Sequence, residues 1–125
     1  MEELRPAEGP QAIEAYGAGS FTIAGRRHQG SILVLADRAL AWAPTSTAEI
    51  TLESLEAVRD SVPAVEILLL GTGVRLELLP PAFRQAVRAW GPVLEPMATP
   101  SACRTYNLLL SEDRRVAAAL IALPG

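Results

Sequence analysis

The spacing of apolar residues divides this chain into a front section of strands and a back section in which strands and helices alternate. In front, Phe21-Thr22-Ile23 alternates like a strand and Ala24-Gly25-Arg26-Arg27 reads as a turn. Residues 28–35 then end in the apolar run Ser31-Ile32-Leu33-Val34-Leu35, so 21–35 predicts a β-hairpin. Upstream, residues 13–18 lead into the turn Gly17-Ala18-Gly19. Downstream, the tight turn Asp37-Arg38 precedes a third strand over 39–42, stopped by Pro44. The pattern is that of a small antiparallel β-meander.

The rhythm changes after Pro44. Thr51 predicts the N-cap of a helix over 52–60, with Leu52, Leu55 and Val58 inward, Glu53 in the first turn and Pro63 ending it. Residues 65–70 (VEILLL) read as a strand covered on both faces, stopping at Gly71-Thr72-Gly73. Residues 74–78 alternate apolar and charged positions, as a short strand or extended link does. Pro80-Pro81 opens a second helix over 82–90, with Phe83, Val87 and Trp90 as its buried stripe and Gly91-Pro92 closing it. A short strand over 93–97 follows. Thr99 as N-cap and Pro100 at the first helical position then start a third helix. Its stripe is Ala102, Cys103, Tyr106, Leu109 and Leu110, and residues 115–122 form the last strand. Alternating strands and helices imply crossovers and a mostly parallel sheet with helices packed on it. Residues 1–12, polar with Pro6, Gly9 and Pro10, read as a flexible tail, and 13–125 as one α/β domain.

Composition narrows the class. Of 125 residues, 50% are hydrophobic and 20% charged, which argues for a packed core and against disorder. All 11 basic residues are Arg, which excludes Schiff-base chemistry and a lysine-dependent phosphate loop. The net charge of −3 and the scattered arginines argue against a nucleic-acid partner. One Cys and one His preclude an intrachain disulfide and an ordinary His/Cys metal site. Residues 1–12 carry no apolar signal-peptide core, and the apolar run 116–123 is too short to cross a bilayer. These features lead us to expect a soluble cytoplasmic, bacterial protein.

One constellation has candidate chemistry. Gly71, Thr72 and Gly73 lie at the carboxyl end of a strand, where open α/β sheets bind ligands. Without a third glycine or a directly following helix they form no dinucleotide fingerprint, and a plain tight turn is favoured. Together with the helix start over 99–107, they outline a crevice bearing Ser101, Cys103, Arg104 and Asn107. Backbone N–H groups and Arg104 there would suit a carboxylate or phosphate. The favoured alternative is structural, with Arg104 pairing a local carboxylate or capping carbonyls to fix the glycine turn. Cys103, near a helix N-terminus and beside Arg104, has the setting of a lowered thiol pKa, yet a lone cysteine on an apolar stripe is ordinarily core. A Cys103–His28 dyad is the one route to acyl transfer, and it has no third orienting group. No catalytic residue, metal or cofactor is assigned.

Several motifs, taken together, resemble one family. They are Tyr16-Gly17-Ala18-Gly19-Ser20-Phe21, Gly30-Ser31-Ile32-Leu33-Val34-Leu35, Glu66-Ile67-Leu68-Leu69-Leu70-Gly71-Thr72-Gly73, and Cys103-Arg104-Thr105-Tyr106-Asn107-Leu108-Leu109-Leu110 continuing into 114–121. The resemblance, over about residues 13–123, is to the "Mth nine-three-eight-like" family of unknown function. That family includes the mitochondrial NADH:ubiquinone oxidoreductase (complex I) assembly factor 3. It implies a three-layer α/β domain with a mixed central sheet, no established catalysis or cofactor, and assembly work through protein partners. The chain departs from the family's Asp-Thr-Gly-Ala-Ala with Ala98-Thr99-Pro100-Ser101-Ala102, and has His28 where a Tyr is common. The expected function is a non-catalytic interaction or assembly factor for a membrane respiratory complex, associating with it peripherally. The alternative is a small-ligand or anion-binding protein, or an unrecognised enzyme, using the crevice.

Overall fold

The structure is a computed structural model that describes residues 10–125. Two sheets organise it. Strands β1 (Ile13–Gly17), β2 (Ser20–Ile23) and β3 (Arg26–Gln29) form an antiparallel meander. Strands β4 (Ile32–Val34), β5 (Ala39–Ala41), β6 (Ile67–Gly71), β7 (Val93–Met97) and β8 (Val116–Leu120) form a second sheet in the order β5-β4-β8-β6-β7. It is mixed. β6 runs parallel to β7 and β8, whereas β4 runs antiparallel to β5 and β8.

The helices are α1 (Glu56–Arg59), α2 (Pro81–Arg88) and α3 (Thr99–Ser111). One face of the large sheet buries Leu33, Leu68, Leu70, Ala117 and Ala119 against Leu55, Val58 and Val87 from the α1 and α2 side. The other buries Ile32, Val34, Leu69, Ala118 and Leu120 against Ala102, Cys103 and Tyr106 of α3 and against Ile13, Phe21 and Ile23 of the small sheet. Three layers result. Every β8 side chain is buried, as expected for a central strand covered on both sides.

Several expectations are corrected. Residues 28–35 are not one strand: Gly30, at φ +83°, turns the chain between β3 in the small sheet and β4 in the large one. A positive φ is open to glycine at little cost. Residues 13–17, read only as a lead into a turn, form a full strand paired with β2. The helix expected over 52–60 is a 3₁₀ turn at Glu53–Leu55 followed by the single α-turn of α1. The N-cap position falls to Leu52 rather than Thr51, but Thr51 still ties the start of the turn: Ser54 N–H donates to Thr51 Oγ1 at 3.1 Å and Thr51 N–H donates to Ser54 Oγ at 3.3 Å. Leu52, expected inward, is exposed. Residues 74–78 form a link with Val74, Leu76 and Leu78 outward. The tail expected over 1–12 lies outside the described residues up to position 9. Gln11 is buried, and Ala24 N–H donates to the Ala12 carbonyl at 3.1 Å.

Candidate functional site

Gly71 ends β6 and Thr99 begins α3, and the two ends meet directly. Thr99 Oγ1, fully buried, accepts from Gly73 N–H at 2.9 Å and donates to the Ile121 carbonyl at 2.8 Å. Thr99 N–H donates to the Gly73 carbonyl at 2.8 Å, and Ile121 N–H to the Gly71 carbonyl at 2.9 Å. One hydroxyl thereby fastens the ends of β6, β8 and α3 together. Thr99 is the first helical residue rather than the N-cap; that position falls to Ala98, which offers no side-chain cap. Pro100 therefore stands second in the helix.

Thr72 closes the turn on itself. Its N–H donates to the Met97 carbonyl at 2.8 Å, its hydroxyl donates to the Arg75 carbonyl at 2.7 Å, and it accepts from Glu77 N–H at 3.0 Å. A Cβ at Gly71 would lie 2.9 Å from both Leu120 Cδ2 and Thr99 Oγ1, and 3.1 Å from Thr99 Cα. The glycine turn is packed against the helix start, and the space between them is filled by protein.

The remaining candidates turn toward the small sheet. Asn107 Oδ1 accepts from Ile13 N–H at 2.8 Å, while Asn107 Nδ2 donates to the Ile13 carbonyl at 2.8 Å. The side-chain amide thus serves β1 as an extra strand edge would. One turn earlier, Arg104 donates to Tyr16 Oη at 3.2 Å and to Ser101 Oγ at 3.4 Å. It pairs with hydroxyls, rather than with the carboxylate or loop carbonyls expected.

Cys103 and Tyr106 face inward beside these clasps, and both are buried. Burial pushes the Cys103 thiol up to about 12, outweighing the opposing pull of the Arg104 charge. A protonated thiol at that value is no nucleophile at neutral pH. Burial likewise raises the Tyr106 phenol, whose Oη has no hydrogen-bond partner among the described residues. His28 sits on β3 opposite Phe21, its pKa lowered by partial burial and by Arg26, and no hydrogen bond joins it to Cys103. No group of three or more His, Cys, Asp or Glu side chains is placed to hold a metal among the described residues. Ile13 and Tyr16 carry no local mark of their role in the sequence, whereas Asn107, an amide beside an apolar helix stripe, does.

The geometry accounts for Cys-Arg-Thr-Tyr-Asn as an alternation of core and clasp residues, and the comparisons place that run in a family. A family model described as "Protein of unknown function (DUF498/DUF598)" matches residues 13–121. The chain belongs to this family. A solved Bordetella pertussis protein described as a Mth938-like domain has TM-score 0.75 at 31% identity and covers 91% of this chain and 88% of its own. An outer membrane protein from Bartonella henselae has TM-score 0.84 at 37% identity, covering 92% of this chain and 97% of that one. An uncharacterised Rhodobacter capsulatus protein is 41% identical over 94% of this chain and 89% of its own. The mouse NADH dehydrogenase [ubiquinone] 1 alpha subcomplex assembly factor 3 is 40% identical over 98% of this chain and 67% of its own. The DUF498 chain thus spans about two thirds of that relative's length.

These relatives overturn the cytoplasmic expectation. The animal homologues are named as NADH dehydrogenase [ubiquinone] 1 alpha subcomplex assembly factor 3, not as a cytoplasmic protein. Among the described residues no helix is long and apolar enough to cross a membrane.

Proposed function

We propose that this DUF498 chain is a non-catalytic assembly factor that assists biogenesis of a membrane respiratory complex through protein contacts. The observation that carries the reading is likeness to the assembly factors along 98% of this chain. The state of the candidate residues supports it. Gly71, Thr72, Gly73, Ser101 and Asn107 spend their packing or polar groups on the chain itself, exposed Arg104 bonds Tyr16 and Ser101 at the surface, and Cys103 is buried and protonated. In this reading they hold the three layers in register, and recognition belongs to the outer surface.

The test is deletion of the gene in its source organism, followed by native electrophoresis of the membrane NADH dehydrogenase. Loss of the assembled complex, with its subunits still synthesised, is the expected result. Restoration by Cys103→Ala as well as by the wild type separates assembly from thiol chemistry. A deletion strain with a fully assembled complex overturns the proposal.

A further inference from the structure

At the end of the large sheet remote from Gly71 lies a cavity of about 460 Å³. Its apolar lining includes Leu35, Val65, Leu110 and Val116, from the carboxyl side of β4, the amino sides of β6 and β8, and α3. The volume falls within the range of about 300–1,000 Å³ found for small-molecule sites, and an apolar lining with a few convergent polar groups is their usual make-up.

The polar groups here are chiefly guanidinium donors. Arg114 uses Nε alone, donating to Glu66 Oε1 at 3.3 Å, and its two terminal nitrogens make no bond among the described residues. Arg38 spends one terminal nitrogen on Asp37 at 3.1 Å. Asp60 also borders the cavity, but Arg59 donates to both its oxygens, at 2.8 and 3.2 Å. The lining therefore has more uncommitted donors than acceptors. Glu66, bonded to the inner nitrogen of Arg114, leaves its outer fork open for a bidentate carboxylate. The arginines are largely balanced by Asp37, Asp60 and Glu66, which suits a single negative charge better than a phosphate.

We infer that this cavity binds a small organic monocarboxylate with an apolar body, its carboxylate on Arg114 and its chain against Val65, Leu110 and Val116. The inference does not rest on the assembly role and stands or falls separately from it.

The test is amide NMR titration of the full chain with decanoate below its micelle concentration, alongside decanol as the uncharged match. Saturable shifts clustered at residues 62, 64, 65, 110 and 114–116 are expected with decanoate, with decanol at least about tenfold weaker. Arg114→Gln is expected to weaken decanoate binding about tenfold, with Arg75→Gln unchanged. If Arg114→Gln disturbs the spectrum beyond the cavity, Arg38→Gln is read in the same way, with a smaller loss expected. Absence of saturation, shifts clustered elsewhere, equal binding of decanol, or undiminished binding by a folded arginine variant overturns the inference.

Discussion

Asn107 and Ile13, 94 positions apart, exchange two hydrogen bonds of 2.8 Å, side chain to backbone in both directions. The amide of a helix residue thus covers the outer edge of β1, which would otherwise present unpaired groups. Asn107→Leu leaves the Ile13 N–H and carbonyl without partners and is expected to cost about 2–3 kcal/mol. Urea unfolding reads the loss as a lower midpoint at unchanged slope. Amide exchange at Ile13 should quicken far more than at Leu69; equal acceleration would mean the bonds do not hold β1 individually.

Thr99 offers a sharper substitution because size can be kept while the hydroxyl is removed. Thr99→Val strands the Gly73 N–H and the Ile121 carbonyl, both now satisfied by one oxygen. A loss of about 2–3 kcal/mol is expected from chemical denaturation, with Thr99→Ser retaining most of the stability. Serine and valine variants of equal stability would show the hydroxyl to be dispensable.

Gly71→Ala tests the close approach of helix and strand end. The added methyl meets Thr99 Cα at 3.1 Å, a backbone atom that moves only with α3. Overpacking of this kind costs about 1–3 kcal/mol. The melting temperature of the alanine variant is the readout, and an unchanged value would refute the packing.

The Cys103 thiol should resist a neutral-pH disulfide reagent until the chain unfolds, so that labelling follows the unfolding rate. Its pKa also sets a pH dependence. The thiol ionises near 9.0 when free and near 12 when folded, so the unfolded chain loses its proton first as pH rises. The stabilisation is fully present below pH 9.0 and is lost between there and about 12, with a slope of up to about 1.4 kcal/mol per pH unit. Calorimetry of wild type and Cys103→Ala across that window should show a shallower decline in the variant.

Tyr106→Phe is expected to be neutral or to stabilise by about 1 kcal/mol, because the deleted oxygen is buried without a partner among the described residues. A clear drop in stability would reveal a bonding partner for that hydroxyl.

What the sequence made legible was local. The apolar run of β6, the second helix and the stripe of α3 all follow from periodicity, and the glycine turn does meet the helix start. What escaped it was set by distant partners. Helix-capping rules assign the Thr99 hydroxyl to its own helix, yet its partners lie 22 and 26 residues away. Arg104 could be matched to any nearby acceptor, and Tyr16, 88 residues upstream, is what the fold supplies. For Cys103 the neighbouring arginine and helix end argue for a low pKa, while desolvation acts oppositely and dominates. How deeply a stripe position is buried depends on what packs over it. Likewise the apolar run that ends 28–35 does not disclose that the two halves of this stretch belong to different sheets.

The strand order has a consequence for how this molecule is made. β4 and β6 share no edge; β8, which follows both along the chain, lies between them and pairs with each. Until Val116–Leu120 has emerged from the ribosome, the two halves of the large sheet have no ladder between them, so its completion awaits that one strand. A chain cut short before Val116 would keep β4–β5 and β6–β7 as two strand pairs with no ladder to make them one sheet.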